Sequence, residues 1–251
     1  MRRPCLQGQI GLTAIGLLSV LAACQQMESA KSSLQTGQII GGGTVQMTDV
    51  QPIAGFLPQP ALLQPGTPGE AALNYRNPAI NFDTYHAVML EPVQLWLAAA
   101  SPLDGVSQDQ RQAAANLFYA DLRDAVQKHC KLTMVAAPGV MRFQFALVNA
   151  KLPNAALNTV ALYTPYESGA YDAASLLFNN GVGYFAGTAT VEGYATDAGN
   201  GTLLWQGVDK RGGTTAAVEN TLNTWLDVHH AFQAWSNQLV SRLQSLGVCT
   251  G

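Results

Sequence analysis

Two stretches of the chain carry apolar residues at helical spacing. The first helix is predicted from about Ser107 to Cys130, where Ser107 and Gln110 form a capping box at its start. The second is predicted after a cap at Thr224 and ends at Gly247, a residue type that favours helix C-termini. The apolar face of the second helix is predicted to consist of Trp225, Val228, Phe232, Trp235, Leu239 and Leu243.

Four further stretches have the pattern of β-strands. Tyr85–Leu97 is interrupted by Pro92, which cannot donate to a ladder and so marks an edge or a bulge. Val140–Asn149 alternates apolar and polar residues, as a half-buried strand does. Tyr184–Thr196 and Thr202–Arg211 flank a short glycine-containing loop and predict a hairpin.

The order of these elements predicts an α+β fold. The sequence also predicts one short strand after the first helix. The predicted order of elements is therefore a strand, a helix, three or four strands and a final helix. Two amphipathic helices need an apolar sheet to cover. We therefore expect a two-layer sandwich, in which a mixed or antiparallel sheet of about four to five strands carries both long helices on one face. Residues 55–251 are predicted to form this single domain, with an apolar insert at residues 151–180.

The chain begins with Arg2, Arg3, a short apolar run and then Leu21-Ala22-Ala23-Cys24. A positive start, an apolar core and small residues before a cleavage point are typical of a secretory signal, and a cysteine just after that point resembles a bacterial lipoprotein precursor. The resemblance implies a signal peptide at residues 1–23 and acyl chains on Cys24. A transmembrane helix is the alternative, but Ile10–Ala23 is short for a hydrocarbon core of about 30 Å.

Residues 24–54 carry glutamine, serine, threonine and a run of three glycines. This composition predicts a flexible tether with a reach of roughly 30 Å, and the resemblance implies that the tether is lipidated at Cys24. The resemblance to lipoproteins also implies a location in the cell envelope. Gln25, where an inner-membrane lipoprotein has aspartate, implies an outer-membrane protein, anchored by its lipid and most simply facing the periplasm.

The composition and net charge of the chain limit the classes of partner that it is expected to bind. Apolar residues make up 48% of the chain and charged residues 12%, which favours a packed core over disorder. The net charge is −3, and it becomes −5 without Arg2 and Arg3, since 11 bases then face 16 acids. This mildly acidic balance argues against nucleic acid as a partner, because phosphate binding needs a basic surface. Cys130 and Cys249 remain as an even pair, either joined in a disulfide or present as two buried thiols.

Several short motifs resemble a known family. They are Gly55–Leu57, Leu73–Pro78, Pro92–Trp96, Asp197–Gly201 and Val208–Gly213. Together with the signal they resemble a family of bacterial lipoproteins catalogued as domain of unknown function 3313. The resemblance spans roughly residues 55–246 and implies an envelope lipoprotein, but no particular activity.

Three groups of polar residues were considered as sites. His229 and His230 are adjacent on a helix and point about 100° apart, so they are poor joint ligands for one metal. Asp121 and Asp124 share a helix face, but Arg123 lies between them and no base accompanies them, so we interpret them as part of a solvated face. Asp209-Lys210-Arg211 could bind an anion or could form a charged strand end. We therefore predict no catalytic, metal or cofactor site.

The insert at residues 151–180 interrupts the strand pattern. A connection of this length in a compact domain is usually functional or mobile. Its apolar residues Leu176, Leu177 and Phe178 form either a partner surface or part of a lid over the second face of the sheet.

These observations predict a non-enzymatic, lipid-anchored envelope protein. Its partners are expected to be the membrane, through the anchor, and another envelope protein. A carrier of lipid or another small apolar molecule is the alternative. It requires an enclosed pocket of roughly 300 Å³ or more. An enzyme with an unrecognised site is the third possibility.

Overall fold

The computed structural model describes residues 44–97, 101, 103, 106–151, 187–213 and 226–249. All of them belong to one compact unit, Ile40–Gly251. The predicted signal peptide, Cys24 and the insert with Leu176, Leu177 and Phe178 lie outside the described residues. The strands are β1 Thr44–Met47, β2 Gln64–Pro65, β3 Leu73–Arg76, β4 Ala87–Leu90, β5 Gln94–Leu95, β6 Val140–Lys151, β7 Thr188–Asp197 and β8 Leu203–Gly213. The helices are α1 Gln108–Gln127 and α2 Leu226–Ser245.

Both predicted helices are present, with the caps that the sequence indicates where those caps are described. Ser107 is the N-cap of α1, and its Oγ accepts a hydrogen bond from the backbone N–H of Gln110 at 3.3 Å. Gly247 follows α2 with a φ of +73°, a left-handed conformation that a glycine adopts without strain. The Thr224 cap lies outside the described residues. Capping and amphipathic spacing together therefore determined where these helices form.

The sheet is mixed. Its main path runs β2-β3-β8-β7-β6-β4, with β1 paired to β8 and β5 paired to β6. The long strands β6, β7 and β8 pair antiparallel with one another, whereas β4 and β5 run parallel to β6. The predicted α+β class, the mixed sheet and the two helices are confirmed.

The predicted number of four to five strands is wrong, because the sheet has eight strands among the described residues. Pairs of short strands follow one another along the outer side of a long one. β3 pairs with the first half of β8 and β1 with the second half. β4 and β5 do the same along β6, on either side of Pro92. β4 and β5 lie within the predicted strand Tyr85–Leu97, which is interrupted at Pro92. The pattern did not reveal β1, β2 and β3, because strands of two to four residues are too short to show a period.

The main core lies between the helices and one face of the sheet. Val228, Phe232 and Leu243 of α2 are buried there, as the apolar face of this helix predicts. Phe118 of α1 stacks on Phe232 with ring centroids 4.8 Å apart. The core-facing side of β6 is formed by Met141, Phe143, Phe145 and Leu147. Both helices thus contribute to the same core on one face.

The second face of the sheet is covered by the chain that follows β1. Val50, Phe56 and Leu57 form a smaller apolar cluster with Val148 and Val208 of the sheet. Such burial contributes about 1.5–3 kcal/mol for each large side chain. This part of the second face is therefore buried by an N-terminal segment, whereas the predicted lid at residues 151–180 lies outside the described residues.

The predicted boundary between tether and domain at residue 54 needs correction. Thr44–Met47 pairs with β8 in register from Thr44–Gly213 to Met47–Lys210, and Val50 is buried. Ordered structure thus extends into the range assigned to the tether. The strand was missed because its partner lies far away in the sequence.

Cys130 and Cys249 form a disulfide, with Cα atoms 4.6 Å apart. Cys130 follows α1 and Cys249 follows α2, so the bond joins the C-terminal ends of the two helices. In the chain-entropy model, closing a loop of this length contributes roughly 4–5 kcal/mol.

Candidate functional site

Asp209 lies at a junction in the sheet. It is on β8 between Lys210, which pairs with Met47 of β1, and Val208, which pairs with Leu73 of β3. Its side chain is buried, with 3% exposed. The carboxylate therefore lies opposite the point where one outer strand ends and the next begins.

Four donors converge on the Asp209 carboxylate. Oδ1 accepts from Nε2 of Gln46 at 2.5 Å and from the backbone N–H of Ala72 at 2.9 Å. Oδ2 accepts from the indole N–H of Trp235 at 2.6 Å and from Nε of Arg211 at 3.2 Å. Burial raises the pKa of Asp209, while Arg211 and the other donors oppose that shift. Since a carboxylate has about four acceptor positions, Asp209 is saturated and links β1, β3, β8 and α2.

The three charged residues of β8 do not form the anion site considered from the sequence. Asp209 and Arg211 face the helices, where Nη2 of Arg211 also donates to Oε1 of Gln238 at 3.3 Å. Lys210 lies on the opposite face, with its Nζ 3.0 Å from Oδ2 of Asp49. Strand alternation therefore separates the two cations.

A cavity of about 120 Å³ lies between the sheet and α2. Its floor includes Met141, Phe143 and Phe145, and Trp235 and Leu243 contribute from α2. The volume is close to the roughly 150 Å³ that accommodates benzene in an apolar protein interior. It is below the roughly 300 Å³ that we set for a carrier pocket. The pocket predicted between the sheet and the insert depends on residues 151–180, most of which lie outside the described residues.

Two glycines that pair across β7 and β8 shape the sheet where it forms the floor of the cavity. Gly193 of β7 pairs with Gly207 of β8. A Cβ at Gly207 would lie 2.6 Å from a ring carbon of Trp205, and one at Gly193 would lie 2.5 Å from ring carbons of Phe145. The absence of side chains here allows the two aromatic rings to lie close to the strands.

Charged side chains surround the opening of the cavity. Arg242 donates from Nε to the carbonyl of Gly69 at 2.9 Å, and its Nη2 is 3.8 Å from Oε1 of Glu70. Glu70 accepts from the backbone N–H and the hydroxyl of Thr67 at 2.9 and 2.8 Å, and the first of these is the main cause that lowers its pKa. Arg76 is exposed at the same opening.

Glu192 is the most unusual acid of the second face. It is fully buried in the middle of β7, between Ala146 of β6 and Val208 of β8. Its Oε1 accepts a hydrogen bond from the backbone N–H of Ile53, whereas its Oε2 has no hydrogen-bond partner. Desolvation by burial raises the pKa of Glu192 to about 7. The carboxyl group fastens the covering segment to the sheet.

The structure brings two of the predicted candidates together. Oδ2 of Asp121 on α1 lies 3.3 Å from Nε2 of His229 on α2, and burial raises the pKa of Asp121. Asp124 instead accepts from Nε2 of Gln127 at 3.2 Å. Among the residues that the structure describes, no three metal-ligating side chains come together. The Asp121–His229 pair thus links the helices.

Sequence reasoning did not identify Glu192, the cavity or the role of Asp209. Glu192 shares its side of β7 with Thr188 and Thr190, so the alternation predicts a solvent-facing side. The only indication in the sequence that Glu192 is unusual was its position among β-branched residues. The paired glycines, Gly193 and Gly207, lie on the two strands of the hairpin, and which residues face each other depends on its exact register.

A family model described as a protein of unknown function, DUF3313, matches residues 52–239. The chain belongs to this family. The family resemblance read from the sequence is therefore confirmed, and the match begins in the segment that covers the second face. No curated protein matches the chain.

Solved structures match the chain at low sequence identity and low TM-score. A PelC dodecamer from Paraburkholderia phytofirmans, in its L103M form, is 12% identical with a TM-score of 0.33, and the match covers 66% of this chain and 94% of that one. A DUF4136 family protein from Bacteroides thetaiotaomicron is 13% identical with a TM-score of 0.32, covering 70% of this chain and 95% of that one.

Proposed function

We propose that the protein is an outer-membrane lipoprotein, anchored through Cys24 and facing the periplasm, that acts as a non-enzymatic binding module for another envelope protein. The signal sequence supports the anchor. Within the described part of the chain, no helix is both long and apolar enough to cross a membrane.

One surface feature carries the binding proposal. Met134 and Val135 are adjacent and are 85% and 69% exposed, far more than the next large apolar side chain, Leu117, at 39%. They lie on the connection between α1 and β6. Adjacent exposed apolar side chains favour a contact with another molecule, since their burial would release their hydration water.

The backbone that presents these two side chains is held in place. The N–H of Val88 in β4 donates to the carbonyl of Lys131 at 2.9 Å, and the N–H of Thr133 donates to the carbonyl of Val88 at 3.0 Å. The N–H of Val135 also donates to Oγ1 of Thr133 at 3.1 Å. A preorganised segment loses less conformational entropy on binding, which favours recognition by a protein partner.

Site-specific photo-crosslinking in the native envelope tests this proposal. A photoreactive residue at Met134 should form a recurrent adduct with one envelope protein, whereas the same residue at the exposed Arg123 of α1 should not. A probe at Leu177 tests the predicted Leu176–Phe178 surface in parallel. Adducts with lipid alone, or the same protein pattern at Met134 and Arg123, would contradict the proposed contact.

A further inference from the structure

The cavity between the sheet and α2 has an apolar interior and a charged opening. Its walls include the rings of Phe143, Phe145, Trp205 and Trp235. Among the described residues that line it, the buried carboxylate is that of Asp209, which already accepts four hydrogen bonds. A bound cation would find no free acceptor on Asp209, so the interior suits an apolar body.

The opening offers positive charge. Arg76 lies on β3 opposite Trp205 of β8, and its side chain has no hydrogen bond or ion pair among the residues that the structure describes. Arg242 and Glu70 at the same opening are already held by each other and by the Thr67–Gly69 turn. The guanidinium that remains available is that of Arg76, which can donate two parallel hydrogen bonds to a carboxylate.

From this arrangement we propose that the cavity binds a small aromatic or short aliphatic carboxylate. The ring or chain occupies the space between the sheet and α2, and the carboxylate meets Arg76 at the opening. A volume of about 120 Å³ suits a body of benzene size and excludes the full length of a membrane-lipid acyl chain. This site is independent of the lipid anchor and of the protein contact proposed at Met134.

Titration calorimetry with defined probes tests the proposal. The full mature chain carrying Cys24→Ser avoids detergent, which would compete for an apolar cavity. Benzoate should bind more tightly than benzamide, which is neutral, and than benzylamine, which is cationic. Removal of the charge in Arg76→Gln should weaken benzoate binding by about ten- to a hundredfold, since a hydrogen bond to a charged group contributes about 1.5–3 kcal/mol.

Two further variants separate the body of the ligand from its charge. Leu239→Trp should abolish binding by filling the cavity, and Arg123→Gln on α1 should leave it unchanged. Circular dichroism spectra and thermal midpoints identify any variant that is misfolded, and the comparison of the three probes on the unaltered cavity does not depend on the variants.

Three results would overturn the proposal. These are no benzoate binding, equal binding of benzoate and benzamide, or benzoate binding that is unaffected in folded Arg76→Gln. Tighter binding of hexadecanoate at the same site would overturn the size limit and indicate a lipid-derived ligand instead. None of these results bears on crosslinking from Met134, which tests the proposed function separately.

Discussion

The buried carboxyl of Glu192 makes a specific prediction about stability and pH. In the folded protein burial raises its pKa from 4.5 to about 7. An acid with a raised folded-state pKa holds its proton more tightly in the folded chain than in the unfolded chain. The contribution of the protonated Glu192 side chain to the free energy of unfolding is therefore fully present below about pH 4.5. It declines as the pH rises to about 7 and is absent above that pH. The side chain is fully buried, and the difference corresponds to about 3 kcal/mol.

Glu192→Gln should remove this dependence. Glutamine retains an oxygen that can accept the hydrogen bond from Ile53 and carries no charge to desolvate. Between pH 4 and pH 8 the free energy of unfolding of the variant, relative to the natural protein, should therefore rise by about 2–3 kcal/mol. Urea denaturation of both proteins under non-reducing conditions measures this difference, and the other titrating groups cancel in it.

Glu70→Gln provides a control of opposite sign. The hydrogen bonds from Thr67 lower the pKa of Glu70, so its ionised form stabilises the fold. This contribution is present above the unfolded-state pKa and is lost as the pH falls. Glu70→Gln should thus be less stable than the natural protein at pH 8, with a smaller gap at pH 4. If Glu192→Gln and the natural protein differed by the same amount at every pH, the reasoning about burial would be refuted.

Substitutions at three other places in the fold test individual contacts by the same denaturation assay, with Gly201→Ala as a control. Asp209→Asn should lower the free energy of unfolding by about 3–5 kcal/mol, since it leaves the buried Arg211 without its charge partner; a loss below about 1 kcal/mol would contradict the four-donor arrangement. Replacing Cys130 and Cys249 by serine should cost about 2–5 kcal/mol, and equal stability of oxidised and reduced natural protein would show that the bond is not formed. Gly193→Ala should lower the free energy of unfolding by about 1–3 kcal/mol, because the added Cβ clashes with Phe145. Gly201→Ala is the control for backbone strain alone, since no atom lies within 4 Å of a Cβ at that position. Unchanged stability of Gly193→Ala would contradict the close ring packing.

The long elements could be predicted because their information is local. The Ser107 cap and the apolar face of α2 each lie within one segment, and the hairpin of β7 and β8 follows from its loop and the alternation on either side. These features reflect nearest-neighbour chemistry, and the structure places them close to their predicted bounds.

The short strands β1, β2 and β3 and the burial of Glu192 and Asp209 could not be predicted, because the information that specifies them is not local. β1 has four residues and is specified by pairing with β8, more than 160 positions away. Glu192 accepts its hydrogen bond from Ile53, 139 positions away in sequence, so its burial depends on a segment that the strand pattern does not contain. Asp209 depends likewise on the meeting of β1, β3 and α2. The sequence shows that these acidic residues are present, but it does not indicate which face of the sheet is covered by another segment.

Fractionation of cells that produce the natural protein or Cys24→Ser most directly tests the central claim of an anchored binding module. The account predicts that the natural protein sediments with the outer membrane and carries acyl mass on its N-terminal peptide. The serine variant should be recovered without acyl mass in a membrane-free fraction. Retention of the serine variant in the outer membrane, or an unmodified Cys24 in the natural protein, would contradict the account.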